Sequence, residues 1–295
     1  MLKRTLFFSN PYHLSIEHKQ LVIASKDSGE VKRAPVEDIG FVVFEHSQIT
    51  FTQSVMQLLA ENNTAVVFCD SKHHPSSMLL HLEANHVQAA IFRAQIQASE
   101  PLKKNLWMQT IKAKIRNQAA HLKWLNKNDE ALSRLATQVK SGDPDNLEAI
   151  AARRYWPVLF GPDFTRARYG PVPNAALNYG YAILRAATAR ALAGSGLLPA
   201  LGIHHRNKYN AFCLADDIME PYRPFTDMMV TGMLEGGMDC GDLGKEEKAE
   251  LLSVLSADVV IADKKRPLMI ALSETTASLP RCFEGTEKKI RYPEL

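Results

Sequence analysis

The sequence predicts an α+β protein, with a small β-rich domain over residues 1–76 and a larger all-α domain over residues 77–295. Three observations carry that reading. Up to Cys69 the apolar residues fall in short runs punctuated by turn-formers, as strands do. Beyond Pro75 they recur at helical spacing through long stretches free of breakers. With 295 residues, 46% of them hydrophobic, the chain has the length for one large domain or two ordinary ones with a real core.

In the first domain Thr5–Ser9, His13–Ile16, Gln20–Ala24, Ile39–Phe44 and Ala65–Cys69 are rich in Val, Ile, Leu and Phe and read as strands. Asn10–Pro11, Asp27–Gly29 and Asn62–Asn63 supply the turn chemistry that bounds them. Leu14-Ser-Ile16-Glu alternates at period two, the pattern of a half-buried strand. Val55, Leu58 and Leu59 recur at helical spacing, so Ser54–Glu61 is expected as a helix before the last strand. His73 and His74 precede Pro75 in a loop, where solvation is a commoner explanation than ligation, and no catalytic cluster emerges here.

The second domain opens on Met78–Ala98, where Leu79, Leu82, Val87, Ile91 and Ile96 predict a helix, followed by a second over Leu102–Leu125. The polar face of the second carries Lys103, Lys104, Lys112, Lys114, Arg116, Lys123 and Lys127, with no acidic residue between Pro101 and Asn128. A solvated face and a phosphate-tracking surface both stay open, although mixed signs are expected of the former. Asp145 or Asn146 is the expected N-cap of a helix over Leu147–Phe160. Glu148 lies in its first turn, where a carboxylate suits the helix dipole, and small Ala149, Ala151 and Ala152 also admit a neighbouring element close to it. Arg166–Pro173 is a basic connection, and Asn174–Leu192 a long helix with Leu177, Tyr181, Leu184 and Ala187 facing inward. Gly285–Leu295 has no clear structure; its Lys288, Lys289 and Arg291 suit DNA contact or plain solvation.

Several classes drop out. A net charge of +3 says little about partners. Cys69, Cys213, Cys240 and Cys282 form no C-x-x-C pair, which argues against structural zinc and a disulfide framework. The apolar run near the start is too short for a signal peptide, and no window approaches the ~18 apolar residues of a membrane span. The protein is expected to be cytoplasmic, without a membrane partner. No P-loop, dinucleotide fingerprint, G-x-S-x-G or H-E-x-x-H motif occurs, so nucleotide-driven chemistry has no support.

The densest chemistry lies between Leu201 and Pro224, where His204, His205, Asp216, Asp217 and Glu220 mingle with Arg206, Lys208, Arg223 and apolar residues. Asp217 and Glu220 are three apart and share one helical face. Only one of two adjacent histidines reaches a common ion, since neighbouring side chains diverge. Carboxylates with one imidazole suit Mg²⁺ or Mn²⁺, whereas zinc would come with more nitrogen or sulfur. The alternative is that Asp216 or Asp217 caps a helix while Glu220 pairs with Arg223.

The run Leu201-Gly-Ile-His-His-Arg-Asn207, continued by Leu214-Ala-Asp-Asp-Ile-Met-Glu-Pro-Tyr-Arg-Pro-Phe-Thr-Asp227, resembles the integrase of CRISPR adaptation modules. Asn174-Ala-Ala-Leu-Asn-Tyr-Gly-Tyr-Ala-Ile-Leu-Arg185 and Leu147-Glu-Ala-Ile-Ala-Ala-Arg-Arg-Tyr-Trp156 extend the resemblance over nearly the whole chain. The wording of Asp216–Pro224 is similar to the branch that accompanies type II systems. What the resemblance implies is a metal- and DNA-binding catalytic domain in which Glu148, His205 and Glu220 are the catalytic and metal-binding residues. His204 falls where the family tolerates an apolar residue. Asp217, Arg223 and Asn207 are accessory candidates. The implied reaction is Mg²⁺- or Mn²⁺-dependent insertion of prespacer DNA into a CRISPR array, by 3′-hydroxyl transesterification. Implied partners are double-stranded DNA (prespacer and leader–repeat), a second copy held through the β-rich domain, and the small dimeric partner protein of adaptation. Lys103, Lys104, Lys112, Arg116, Arg166, Arg168, Arg206 and Lys208 are the expected DNA contacts. Two rival functions remain, a general metal-dependent nuclease acting on branched DNA and a non-catalytic DNA-binding scaffold. The intact Glu, His and Glu positions count against the latter.

Overall fold

The computed structural model describes residues 3–81 and 83–295; Met1, Leu2 and Leu82 lie outside them. The chain divides into two compact units, one ending at His86 and the other beginning at Val87.

The first unit contains β1 (Arg4–Phe8), β2 (Tyr12–Glu17), β3 (Gln20–Ser25), β4 (Val31–Pro35), β5 (Ile39–Phe44), β6 (Thr50–Phe51), α1 (Gln53–Glu61), β7 (Ala65–Cys69) and β8 (Pro75–Leu79). One sheet has the order β1-β5-β7-β8, parallel except for the last pair, and the other runs β4-β3-β2-β6. The continuous apolar run Ile39-Gly-Phe-Val-Val-Phe44 is buried at every position, as a parallel strand flanked on both sides must be. Val42, Phe44 and Val66 from one sheet, Leu14 and Leu21 from the other, and Val55 and Leu59 of α1 close a single core. Met78 and Leu79 belong to this unit rather than to a helix: β8 pairs antiparallel with β7, Leu79 opposite Val66 and Met78 opposite Val67.

The second unit contains α2 (Gln88–Gln97), α3 (Glu100–Trp124), α4 (Glu130–Gln138), α5 (Leu147–Phe160), α6 (Asn174–Gly194), α7 (Cys213–Met219), a 3-10 turn (Glu220–Tyr222), α8 (Arg223–Glu235), α9 (Lys245–Ser253), β9 (Asp258–Ile261), β10 (Lys264–Pro267) and α10 (Leu268–Phe283). It is not all-α. β9 and β10 form an antiparallel hairpin, with Val259 and Ile261 buried on one side of β9 and Asp258 and Val260 exposed on the other. The helix expected over Met78–Ala98 is confined to α2.

α3 is the long helix against which α4, α5, α8 and the 3-10 turn pack. Ser99 Oγ accepts from Leu102 N and caps its start. Its buried stripe runs through Leu106, Trp107, Ile111, Ile115 and Leu122, but also through Thr110, Lys114, Gln118 and His121. α6 meets α8 so closely that a Cβ on Gly180 would collide with the Thr226 methyl. The final segment is fastened rather than loose. Gln109 holds Lys288 O and Ile290 N, Thr110 Oγ1 lies 2.8 Å from Tyr292 Oη, and Asn117 holds Pro293 O and Leu295 N. Among the described residues no helix is long and apolar enough to cross a membrane.

Candidate functional site

Glu148 is delivered by the first turn of α5. The cap is neither Asp145 nor the side chain of Asn146, whose backbone is left-handed; Asp143 supplies it. Its Oδ1 accepts from Leu147 N at 2.9 Å and its Oδ2 from Glu148 N at 3.0 Å. One acid thereby fixes both the helix start and the root of Glu148.

Glu220 begins the 3-10 turn between α7 and α8 and is 4% exposed. Lys114, from the buried stripe of α3, reaches both acids: its Nζ stands 2.6 Å from Glu148 Oε1 and 2.6 Å from Glu220 Oε2. Arg223 contacts the other Glu220 oxygen at 2.9 Å, so the pair expected at i and i+3 is present as well. Burial pushes the Glu220 carboxyl up, but Arg223 and Lys114 outweigh it and hold the group below its usual value. Burial pulls the Lys114 ammonium down, and Glu220 and Glu148 outweigh that and raise it. The Lys114–Glu220 contact is an ion pair without hydrogen-bond alignment; Glu220 Oε2 has no hydrogen-bond partner among the described residues.

Asp217 is fully buried and does not cap α7. Its carboxylate organises the loop before it: Oδ2 accepts from Ile203 N (2.7 Å) and His204 N (2.9 Å), and Oδ1 accepts from His205 N (3.2 Å) and faces His205 Nδ1 at 2.5 Å. The bond to Asp217 raises the His205 imidazole above its ordinary value against a smaller effect of burial. Gly202 is required at this bend, because a Cβ there would press on His205 O and stand 2.7 Å from Asp217 Oδ2. Asp216 does not cap α7 either: it takes Arg185 Nε at 2.6 Å and Asn210 Nδ2 at 2.7 Å. His204 lies flat on the Trp107 indole, ring centroids 4.0 Å apart and planes 1° from parallel, and His205 meets the same indole edge-on. An apolar residue would make the same stack.

Among the described residues, no three His, Cys, Asp or Glu side chains are gathered closely enough to grip an ion as they stand. The donor types nonetheless suit a divalent cation. Two carboxylates from separate elements converge on one positive charge, a buried carboxylate oxygen lacks a hydrogen bond, and Asp217 takes His205 Nδ1, which leaves Nε2 as the nitrogen an ion could take.

The basic residues sort unevenly. Lys114 does not belong to the surface face where the sequence put it. Lys103, His205, Arg206 and Lys208 line a cleft of about 510 Å³. Lys112, Arg116, Lys288 and Lys289 line a groove of about 880 Å³ between α3 and the final segment. Lys103 and Arg206 each pair with Glu100, and Lys208 and Arg168 lie over Tyr209 and Tyr169. The Lys104 side chain is the close neighbour of Gly142. Arg166 is engaged internally with Asn174 Oδ1 and the Tyr181 ring. Asn207 shapes its own turn by accepting from Tyr209 N. Arg223 lies over the ring of Tyr181, which begins a buried polar chain: Tyr181 and Tyr155 donate to Asp227, and Tyr155 Oη lies 2.7 Å from His121 Nδ1. Strict helical register is the signal that would have found Lys114, three residues beyond Ile111 and seven beyond Trp107.

The family model described as CRISPR associated protein Cas1 matches residues 6–255. The CRISPR-associated endonuclease Cas1 of Neisseria meningitidis serogroup C is 37% identical over 299 residues, which span 100% of this chain and 97% of that protein. Among solved structures, a casposase bound to integration product has a TM-score of 0.82 at 20% identity, over 98% of this chain and 92% of that one. A Cas6-RT-Cas1–Cas2 complex has a TM-score of 0.73 at 20% identity, over 97% of this chain and 35% of that one. The class is therefore that of a CRISPR-associated endonuclease. The chain belongs to the Cas1 family.

Proposed function

We propose that this chain inserts short duplex DNA into a CRISPR array, the 3′-hydroxyl of the incoming strand attacking a phosphodiester at the leader–repeat junction. The observation that carries this reading is the convergence of Glu148 and Glu220 on one buried positive charge, with His205 anchored through Nδ1 in the loop before α7. Mg²⁺ or Mn²⁺ held by Glu148, Glu220 and His205 would supply Lewis acidity at the scissile phosphate. Asp217 holds the His205 ring through Nδ1, and the ion would take Nε2 in place of its proton. Arg223 balances the second oxygen of Glu220. One phosphodiester is exchanged for another: the new O–P bond forms as the array strand's own O–P bond breaks, and the proton of the attacking hydroxyl ends on the leaving oxygen. No ATP enters the balance.

Lys103, Arg206 and Lys208 around the cleft, with Lys112 and Arg116 on α3, are suited to the phosphates of the duplexes. The β-rich unit serves the homodimer, and the small partner protein of adaptation bridges two such dimers. The wording of Asp216–Pro224 favours the type II branch.

The test is strand transfer of a labelled prespacer into a repeat plasmid with the partner protein present. Glu148→Ala, His205→Ala and Glu220→Ala should each lower the rate by about a hundredfold or more, the several kcal/mol that a Lewis-acid site supplies, with circular dichroism unchanged. Wild-type rates in all three variants would sink the assignment.

A further inference from the structure

The position between Glu148 and Glu220 already holds a cation. Lys114 brings its ammonium there from α3, on a side chain only 9% exposed, while the acids come from α5 and from the 3-10 turn. Its nitrogen stands 2.6 Å from an oxygen of each acid, hydrogen-bonded to Glu148 and ion-paired with Glu220. Among the four groups in direct contact the charges cancel, two carboxylates against one ammonium and one guanidinium. A divalent ion bonds carboxylate oxygens at about 2.0–2.2 Å. An ammonium already seated between the same two oxygens leaves no room for it.

We propose that Lys114 is the resident counter-ion of this site, holding Glu148 and Glu220 together until a divalent cation displaces it. The inference rests on the metal reading proposed above and goes beyond it. Displacement has an open direction, because the Glu148 side chain is 31% exposed whereas that of Glu220 is 5% exposed. An ammonium that swings out past Glu148 carries its charge toward the surface where DNA phosphates approach. Cation loading and DNA binding then favour each other, and by linkage the coupling is the same in both directions. Without DNA, Lys114 competes with the ion and weakens its binding.

The experiment is Mn²⁺ binding by the full-length chain without DNA, followed through the paramagnetic resonance of the free ion. Lys114→Met and Lys114→Gln should bind Mn²⁺ at least about tenfold more tightly than wild type, since a positive charge close to the ion has been removed. Lys114→Gln keeps a donor for one carboxylate and guards against misfolding of the apolar variant. Glu148→Gln and Glu220→Gln should bind more weakly than wild type. If they do while the Lys114 variants bind no more tightly, the displacement is wrong and the metal reading stands. If Glu148→Gln and Glu220→Gln bind like wild type, the metal reading fails and takes this inference with it. Reductive methylation of the wild-type chain gives a check free of mutation: Lys114 should be protected without Mn²⁺ and modified with it. Protection that saturating Mn²⁺ leaves unchanged overturns the proposal.

Discussion

At Asp217 three backbone N–H groups and one imidazole meet a single carboxylate that has no access to solvent. Asp217→Asn keeps the volume but turns one acceptor into an NH₂ group aimed at other donors. We expect a loss of about 2–3 kcal/mol, the cost of stranding buried donors, read as a lower urea midpoint. Strand transfer should fall with it as His205 loses its anchor. An unchanged midpoint would mean that the loop is held elsewhere. Of the candidate site, Glu148, Glu220 and His205 are the residues that the family wording singles out, and Arg223 the one that its spacing pairs with Glu220. Lys114 was not, because a lysine on a basic helix reads as surface until its register with Trp107 and Ile111 is counted. Asp143 escaped notice for a related reason: it caps α5 from outside the expected N-cap position, through a left-handed Asn146 that composition does not reveal.

Among the elements, α6 and α8 meet at a contact that depends on one missing atom. Gly180→Ala would drive a Cβ into the Thr226 methyl and should cost about 1–3 kcal/mol, as overpacking does. Thr226→Ser removes that methyl and keeps the hydroxyl, so the double variant should recover most of the loss in thermal melts. Simple additivity of the two changes would show that the helices do not touch there. The elements that sequence reasoning anticipated are those whose pattern is local: the apolar runs of β1, β3, β5 and β7, and the long periodic helices. Those it missed are defined by their pairing rather than by their own pattern. β4 (Val-Lys-Arg-Ala-Pro) and β8 (Pro-Ser-Ser-Met-Leu) are sheet edges, largely polar and partly exposed, and only pairing with β3 and β7 makes them strands. The hairpin of β9 and β10 is short and flanked by helices, and Lys264, Lys265 and Arg266 hide its period. The final segment looked unstructured because its contacts are made by its backbone with Gln109 and Asn117, both far away in sequence.

For the whole molecule, the buried chain of His121, Tyr155, Asp227 and Tyr181 makes two opposed contributions to the acid response. Burial pushes the Asp227 carboxyl from 3.8 to about 6, against its bonds from Tyr181 and Tyr155. Burial pulls His121 from 6.5 to about 4. Between pH 4 and 6 the folded protein holds a proton on Asp227 that the unfolded chain has released, so this group's contribution to stability falls as pH rises. Over nearly the same interval the unfolded chain holds a proton on His121 that the folded protein lacks, so that contribution rises with pH. Each amounts to about 3 kcal/mol across its window, and they oppose. Wild-type stability should therefore vary little from this pair. Asp227→Asn should melt progressively higher from pH 4 to 6.5, and His121→Asn progressively lower. Parallel curves for wild type and Asp227→Asn would show that Asp227 titrates as an ordinary carboxylate. The boundary between the units also belongs to this scale: it lies after His86 rather than at residue 76, because β8 is recruited by a sheet and not by its own sequence.

The parallel stack of His204 on Trp107 has an optical consequence. An imidazole in van der Waals contact with an indole quenches its emission, so Trp107 glows according to where the loop lies. The chain has three tryptophans, and replacing Trp124 and Trp156 with Phe leaves this one as the sole emitter. In that background His204→Ala should brighten the protein. Addition of Mn²⁺ or duplex DNA to the unsubstituted stack should then reveal, without a dye, whether the loop lifts when the site fills.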